Sequence, residues 1–219
     1  MIPLRDVIPS RTTPYITVTI IVLNAIAWLF ELGLPRDVLP AFLQVYGVVP
    51  AYFSPPTLVT SMFLHGSWMH VIGNMWYLWI FGDNVEDRVG HGRFIVFYLI
   101  CGMTAAFGQI LMDPTSTLPT IGASGAIAGV MGAYFVLYPQ SRVLTLIPLI
   151  IFWEIVELPA IFLLGFWFLM QLFSAGAIAV TSSSHGGGVA FAAHVSGFLC
   201  GVCGVFVFRK RREPDTWWA

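Results

Sequence analysis

Residues 120–135 read TIGASGAIAGVMGAYF. The stretch is apolar enough to lie in a lipid bilayer, yet it sets one hydroxyl, Ser124, between Gly122, Ala123 and Gly125. In a helix, Ser124, Ala128 and Gly132 recur at a spacing of four, with Gly125 and Gly129 beside them, and form a ridge of small side chains. Such ridges let helix backbones approach closely in a membrane, where van der Waals contact drives association. A second ridge lies further along the chain: Ala193, Gly197 and Gly201, flanked by Ser196, Cys200 and Gly204. Packing one ridge on the other brings Ser124 towards His194. Alone, a serine in a Gly/Ala-rich span reads as a packing residue, and GASG is not the G-x-S-x-G elbow of hydrolases, because residue 126 is Ala.

Composition sets the class. The chain has 219 residues, of which 58% are hydrophobic and 10% charged, against about a quarter charged in a soluble domain. That is the balance of a polytopic membrane protein. A net charge of −1 and the lack of a basic stripe with interleaved aromatics give no indication of nucleic acid binding. Cys101, Cys200 and Cys203 all lie in apolar runs, and an odd number there is no disulfide framework. The first apolar run follows Arg5 and Arg11 without an A-x-A cleavage site, so it reads as an anchor rather than a signal peptide.

A membrane-spanning helix needs about 20 apolar residues. Six segments qualify: about 14–32, 62–82, 94–112, 121–138, 156–177 and 188–208. Residues 143–155, interrupted by Pro148 and leading into WEIVELP, are expected to form a loop near the membrane surface. The expected fold is therefore all-α, a polytopic six-helix bundle. A short cytoplasmic N-terminus (1–13) precedes the six-helix domain (14–208), and a basic cytoplasmic tail (209–219) follows it. With six spans, Arg5, Arg11, Arg88, Arg93, Arg142, Arg209, Lys210, Arg211 and Arg212 share one side and only Arg36 lies on the other, which fits the positive-inside rule. A seventh span would strand the RKRR cluster outside. The expected site is a bacterial inner (plasma) membrane with both termini cytoplasmic, an organellar membrane being the alternative.

Polar groups inside spans are costly, so their depth is informative. The second, fourth and sixth spans all enter from the outer face. His65, His70 and Asn74 fall in the first half of the second span and Ser124 at the start of the fourth. His194 falls about six residues into the sixth, or roughly 9 Å below the outer edge at the helical rise. All five groups therefore lie in the same outer half of the bilayer.

In HGSWMHVIGN (65–74), GASG (122–125) and AHVSGFLCG (193–201), in that order and on those three spans, the chain resembles the rhomboid intramembrane serine proteases. The resemblance covers roughly residues 14–208. It implies a serine endopeptidase that cuts membrane-protein segments near the outer face. Ser124 would be the nucleophile. His194, the one histidine at that depth on an apparently facing helix, would be general base and then general acid. No Asp or Glu lies mid-span to orient His194, so a dyad is expected. His70 and Asn74, four apart and so on one helical face, would form the oxyanion hole with the backbone N–H of Ser124. Gly122 and Gly125 would let the backbone turn and the substrate approach, and Gly197 and Gly201 would support the helix contact. His65 is expected to have a structural role in the loop after the first span. His91 and His185 are not placed for the chemistry.

Two departures from the family pattern stand out. Ala128 occupies the position, four after the serine, where many relatives carry an aromatic residue against the base. The sequence thus assigns no residue to hold the ring of His194. A Trp-Arg pair that some members carry is absent from residues 33–61, a Pro- and aromatic-rich loop expected to be partly immersed beside the helices. The TSSSHGGG loop is a candidate cap and the fifth span a candidate gate, bulky and lipid-facing. No cofactor or metal is implied. The expected partners are the lipid bilayer and membrane proteins whose helices fray near the outer surface.

Rival chemistries find less support. A membrane metalloprotease would show H-E-x-x-H, and no such string occurs. An aspartyl intramembrane protease needs two mid-span aspartates, whereas Asp83, Asp87 and Asp113 sit at expected loop ends. A transporter would account for polar residues in spans but not for this Ser/His/Asn set. A catalytically inactive rhomboid-like protein that binds transmembrane helices is the remaining alternative.

Overall fold

The computed structural model describes residues 1–148, 153–181 and 190–210. Arg211, Arg212 and the rest of the basic tail, and His185 with nearly all of the expected cap loop, lie outside the described residues. In chain order the helices are α1 (Tyr15–Gly33), α2 (Leu39–Tyr46), α3 (Thr57–Thr60), α4 (Trp68–Val89), α5 (His91–Met112), α6 (Ser124–Leu137), α7 (Ala160–Thr181) and α8 (Phe191–Phe208). The six long ones, α1 and α4 to α8, overlap the six apolar segments picked out in the sequence. By length and composition α1, α5, α7 and α8 can each cross a bilayer. With 14 residues, α6 is only about 21 Å long, short of the ~30 Å hydrocarbon layer.

The helix α4 starts later and ends later than expected. Ser67 caps it by accepting the His70 N–H at 3.2 Å, an N-cap arrangement that satisfies a donor the helix leaves free. His65 therefore precedes the helix rather than lying within it. At the far end α4 runs on to Val89 through Asp83, Asn84, Glu86 and Asp87, because the segment leading into α1 supplies partners for these acids. Glu86, fully buried, accepts the N–H groups of Ile16 and Thr17 at 3.0 and 2.8 Å and the Thr17 hydroxyl at 2.7 Å. It also meets Nδ1 of His91 at 2.5 Å. Asp87 accepts the Thr12 N–H at 3.0 Å and makes shorter contacts with the Arg11 N–H and the Thr12 hydroxyl. Glu86 thus satisfies the first backbone donors of α1, which no intrahelical carbonyl can reach.

Of the expected loop 143–155, residues 143–148 and 153–155 are strand, and 149–152 lie outside the described residues. Strands β2 (Arg142–Pro148) and β3 (Trp153–Pro159) pair antiparallel, and β1 (Ile2–Asp6) adds to β2, giving the order β1-β2-β3. Pro148 and Pro159 end strands rather than interrupting a loop, positions where a missing N–H costs no ladder bond. The Ala160 N–H donates to the Ser141 carbonyl at 2.7 Å where β3 gives way to α7. Tyr134, in the last turn of α6, donates its hydroxyl to Asp6 at 2.6 Å. The sheet is thereby tied to the end of α6 opposite Ser124.

The contact between α6 and α8 forms as the small-residue ridges suggest, one position round from the expected register. Gly125 and Gly129 face Gly197 and Gly201, and Gly132 faces the backbone of Phe198 and Val202. A Cβ on Gly197 would strike the Gly125 carbonyl, and one on Gly201 the Gly129 carbonyl. Because Gly125 and Gly129 make this contact, Ser124 is turned out of it and half-buried. Behind the pair lies a core that includes Phe81, Phe94, Phe97, Met131 and Tyr134.

Candidate active site

The start of α6 is pinned by the loop before α4. Val48 and Thr120 exchange backbone bonds at 3.0 and 2.8 Å, and the Gly122 N–H donates to the Ser61 carbonyl at 2.8 Å. Gly122 sits at φ +119°, a conformation few residues other than glycine adopt. Ser124 follows as the first residue of α6, where a backbone N–H has no partner within its own helix.

His194 lies in the first turn of α8, 8% exposed, with Nε2 2.8 Å from Oγ of Ser124. The other ring nitrogen, Nδ1, lies 2.7 Å from Oε1 of Gln171 on α7. The Trp167 ring, also on α7, stands 5.7 Å from the imidazole at 35°. An amide oxygen at Nδ1 pairs with a proton there, so Nε2 presents its lone pair to the serine hydroxyl.

On α4, Nδ1 of His70 accepts the Gly66 N–H at 3.4 Å, which leaves the proton on Nε2. That nitrogen lies against Gly122: a Cβ there would come within 2.6 Å of it and 3.6 Å of Nδ2 of Asn74. Nδ2 of Asn74 donates to Nε2 of His65 at 2.9 Å. His65 donates from Nδ1 to the Phe63 carbonyl at 3.3 Å, and its backbone N–H meets both carboxylate oxygens of Glu31 at 3.2 Å. One cavity of about 250 Å³ joins these groups, lined by His70, Asn74, Ser124, Ile127, Trp167 and His194 among others.

The structure therefore brings Ser124, His194, His70 and Asn74 to one cavity, and sets Gly122 beside it. Gly125, Gly197 and Gly201 lie in the helix contact beneath. His91 sits at the opposite end of α4 with Glu86. Glu31, Trp167 and Gln171 were missed in the sequence. Gln171 had a legible signal, as the one carboxamide in residues 160–181, since a polar side chain in a span is rarely idle.

A Rhomboid domain model matches residues 54–211, a segment that contains α4 to α8 and every residue around the cavity. The chain belongs to the rhomboid family. It is 29% identical over 201 residues to Rhomboid-like protein 11, chloroplastic, of Arabidopsis thaliana, covering 85% of this chain and 66% of that one. It is 30% identical over 161 residues to RHOMBOID-like protein 6, mitochondrial, of the same plant, covering 74% and 45%. To Rhomboid protease GluP of Bacillus subtilis it is 36% identical over 85 residues, covering 39% and 16%. This rhomboid spans less than two thirds of the full length of each. Its apolar helices are those of a membrane protein, and the helical bundle is that of its family.

Proposed function

We propose that this rhomboid is an intramembrane serine endopeptidase. The observation that carries the reading is the 2.8 Å approach of Nε2 of His194 to Oγ of Ser124 inside a cavity recessed among apolar helices. A serine hydroxyl attacks a carbonyl only when a base takes its proton, and the bare Nε2 of His194 is within reach to do so. As Oγ adds to the scissile carbonyl, the proton passes to His194. The oxyanion is met by Nε2–H of His70, by the second Nδ2–H of Asn74 and by the backbone N–H of Ser124, donors fixed before the charge develops. Collapse breaks the C–N bond, and His194 returns the proton to the leaving amine. Water admitted to the cavity then attacks the acyl-serine, with His194 again as base, and frees the carboxylate and Ser124.

The substrates are membrane proteins whose helices unwind near the cavity mouth, because a regular helix hides its carbonyls in bonds to the residue four ahead. The serine opens to the outer side and both termini face the cytoplasm. The lysine and arginine distribution supports that orientation and a bacterial inner membrane. Chloroplastic and mitochondrial names among the relatives make an organellar membrane the alternative outcome.

The test is fluorophosphonate labelling of the purified full chain alongside cleavage of a single-span reporter. Wild type is expected to label and to cut, Ser124→Ala to do neither, and His194→Ala to label at least about a hundredfold more slowly, the usual worth of a general base. Reporter bound but neither cut nor labelled would indicate a rhomboid that only binds transmembrane helices.

A further inference from the structure

The fifth long helix, α7, reads in sequence as a lipid-facing gate. Its other face grips the base. An amide placed among apolar helices is costly unless it is bonded, and Gln171, half-buried, makes its bond to Nδ1 of His194 at 2.7 Å. Trp167, one turn earlier and therefore on the same face, flanks the imidazole and also packs on Phe198 of α8 at 6.1 Å. From α6 the corresponding position offers only the methyl group of Ala128. Among the described residues, the ring of His194 bonds only to Ser124 and Gln171.

We infer that Gln171 is the positioning residue for His194: its side-chain carbonyl holds the Nδ1 proton and so keeps Nε2 bare and aimed at Ser124. The inference rests on the protease reading. A neutral imidazole without an acceptor at Nδ1 populates both tautomers, and the one protonated at Nε2 cannot take the serine proton. A carboxylate in the same place would fix the tautomer and add a charge to balance the imidazolium. An amide fixes the tautomer and contributes only a dipole, but it avoids burying a charge in the bilayer. The pair is in that respect a triad with a neutral third member. Since the support comes from α7, displacement of that helix from α8 disarms the base until it reseats.

The experiment compares full-length wild type with Gln171→Met, which keeps the length and loses the acceptor, and Gln171→Glu, which keeps an acceptor. Gln171→Ala replaces the Met variant if that one does not fold. Ring nitrogen signals from ¹⁵N-histidine-labelled protein, assigned by their loss in His194→Ala, report the tautomer directly. Wild type should show His194 protonated at Nδ1, Gln171→Met a mixture of both forms, and Gln171→Glu the single form again. In cleavage of a reporter, Gln171→Met should lower kcat by about tenfold to a hundredfold with KM nearly unchanged, and Gln171→Glu should recover most of it. Wild-type signals or wild-type kcat in Gln171→Met would overturn the inference. So would a rise in KM alone, which would make Gln171 a substrate contact. If wild type cuts no better than Ser124→Ala, the protease reading fails, and the ring signals still decide whether Gln171 holds His194.

Discussion

Asn74 is held by His65. Its Nδ2 donates to Nε2 of His65 at 2.9 Å, and His65 is anchored through its backbone N–H to the buried carboxylate of Glu31 at 3.2 Å. A histidine outside α4 therefore sets the angle at which an amide of α4 faces the cavity. Removing an oxyanion donor costs about a hundredfold or more in kcat, so Asn74→Ala should lose at least that much. His65→Ala, which leaves the donor present but unaimed, should lose roughly tenfold. The double variant should match Asn74→Ala alone, because the two act as a unit. Initial rates on a reporter check this, and fully multiplicative losses would refute the coupling.

The carbonyl of Gly129 occupies the space a side chain on Gly201 would need. Gly201→Val should therefore force α6 and α8 apart and destabilise the bundle by about 3 kcal/mol, the upper range for overpacking. Gly176, which has open space around it, supplies the control: Gly176→Ala should be neutral or slightly stabilising. Denaturant unfolding in mixed micelles reads both.

Glu86 takes three donors from the first turn of α1. Glu86→Ala should destabilise by about 3 kcal/mol, because it strands buried N–H groups as well as losing charged hydrogen bonds. The site lies roughly 24 Å further along α4, so fluorophosphonate labelling of the folded fraction should persist. Loss of labelling at unchanged stability would contradict this division of roles.

Asp6 ties β1 to Tyr134, and burial pushes its carboxyl up to about 6 from an ordinary 3.8; the Tyr134 hydroxyl opposes the rise and Asp83 adds to it. The folded chain thus binds this proton more tightly than the unfolded one. The contribution is fully present below about pH 3.8 and is lost as pH rises through about 6. Docking of β1 should accordingly loosen between pH 5 and 7.5, seen as faster exchange of its amides after correction for intrinsic rates. Asp6→Asn should remove the dependence, and tightening with rising pH would show the sign to be wrong.

Much of the fold was legible because a bilayer makes one demand that local sequence answers: backbone donors and acceptors must be satisfied within the segment. Hence the six long helices emerge from apolar runs alone, and their ends stray where tertiary partners intervene. Glu86 and Asp87 look like loop residues until residues 11–17 supply their donors. The strands Arg142–Pro148 and Trp153–Pro159 read in sequence as part of a surface loop because one pairing partner, β1, lies far off at the start of the sequence.

The amino-acid order alone determined that Ser124, His194, His70 and Asn74 share one depth, and that small residues allow α6 and α8 to touch, since rise per residue and side-chain size are local properties. Only tertiary structure decided which face of α6 makes that contact, that Glu31 and His65 steady Asn74, and that α7 reaches over to hold His194. Those relations depend on the rotation of each helix about its own axis, which is set by packing against neighbours distant in sequence.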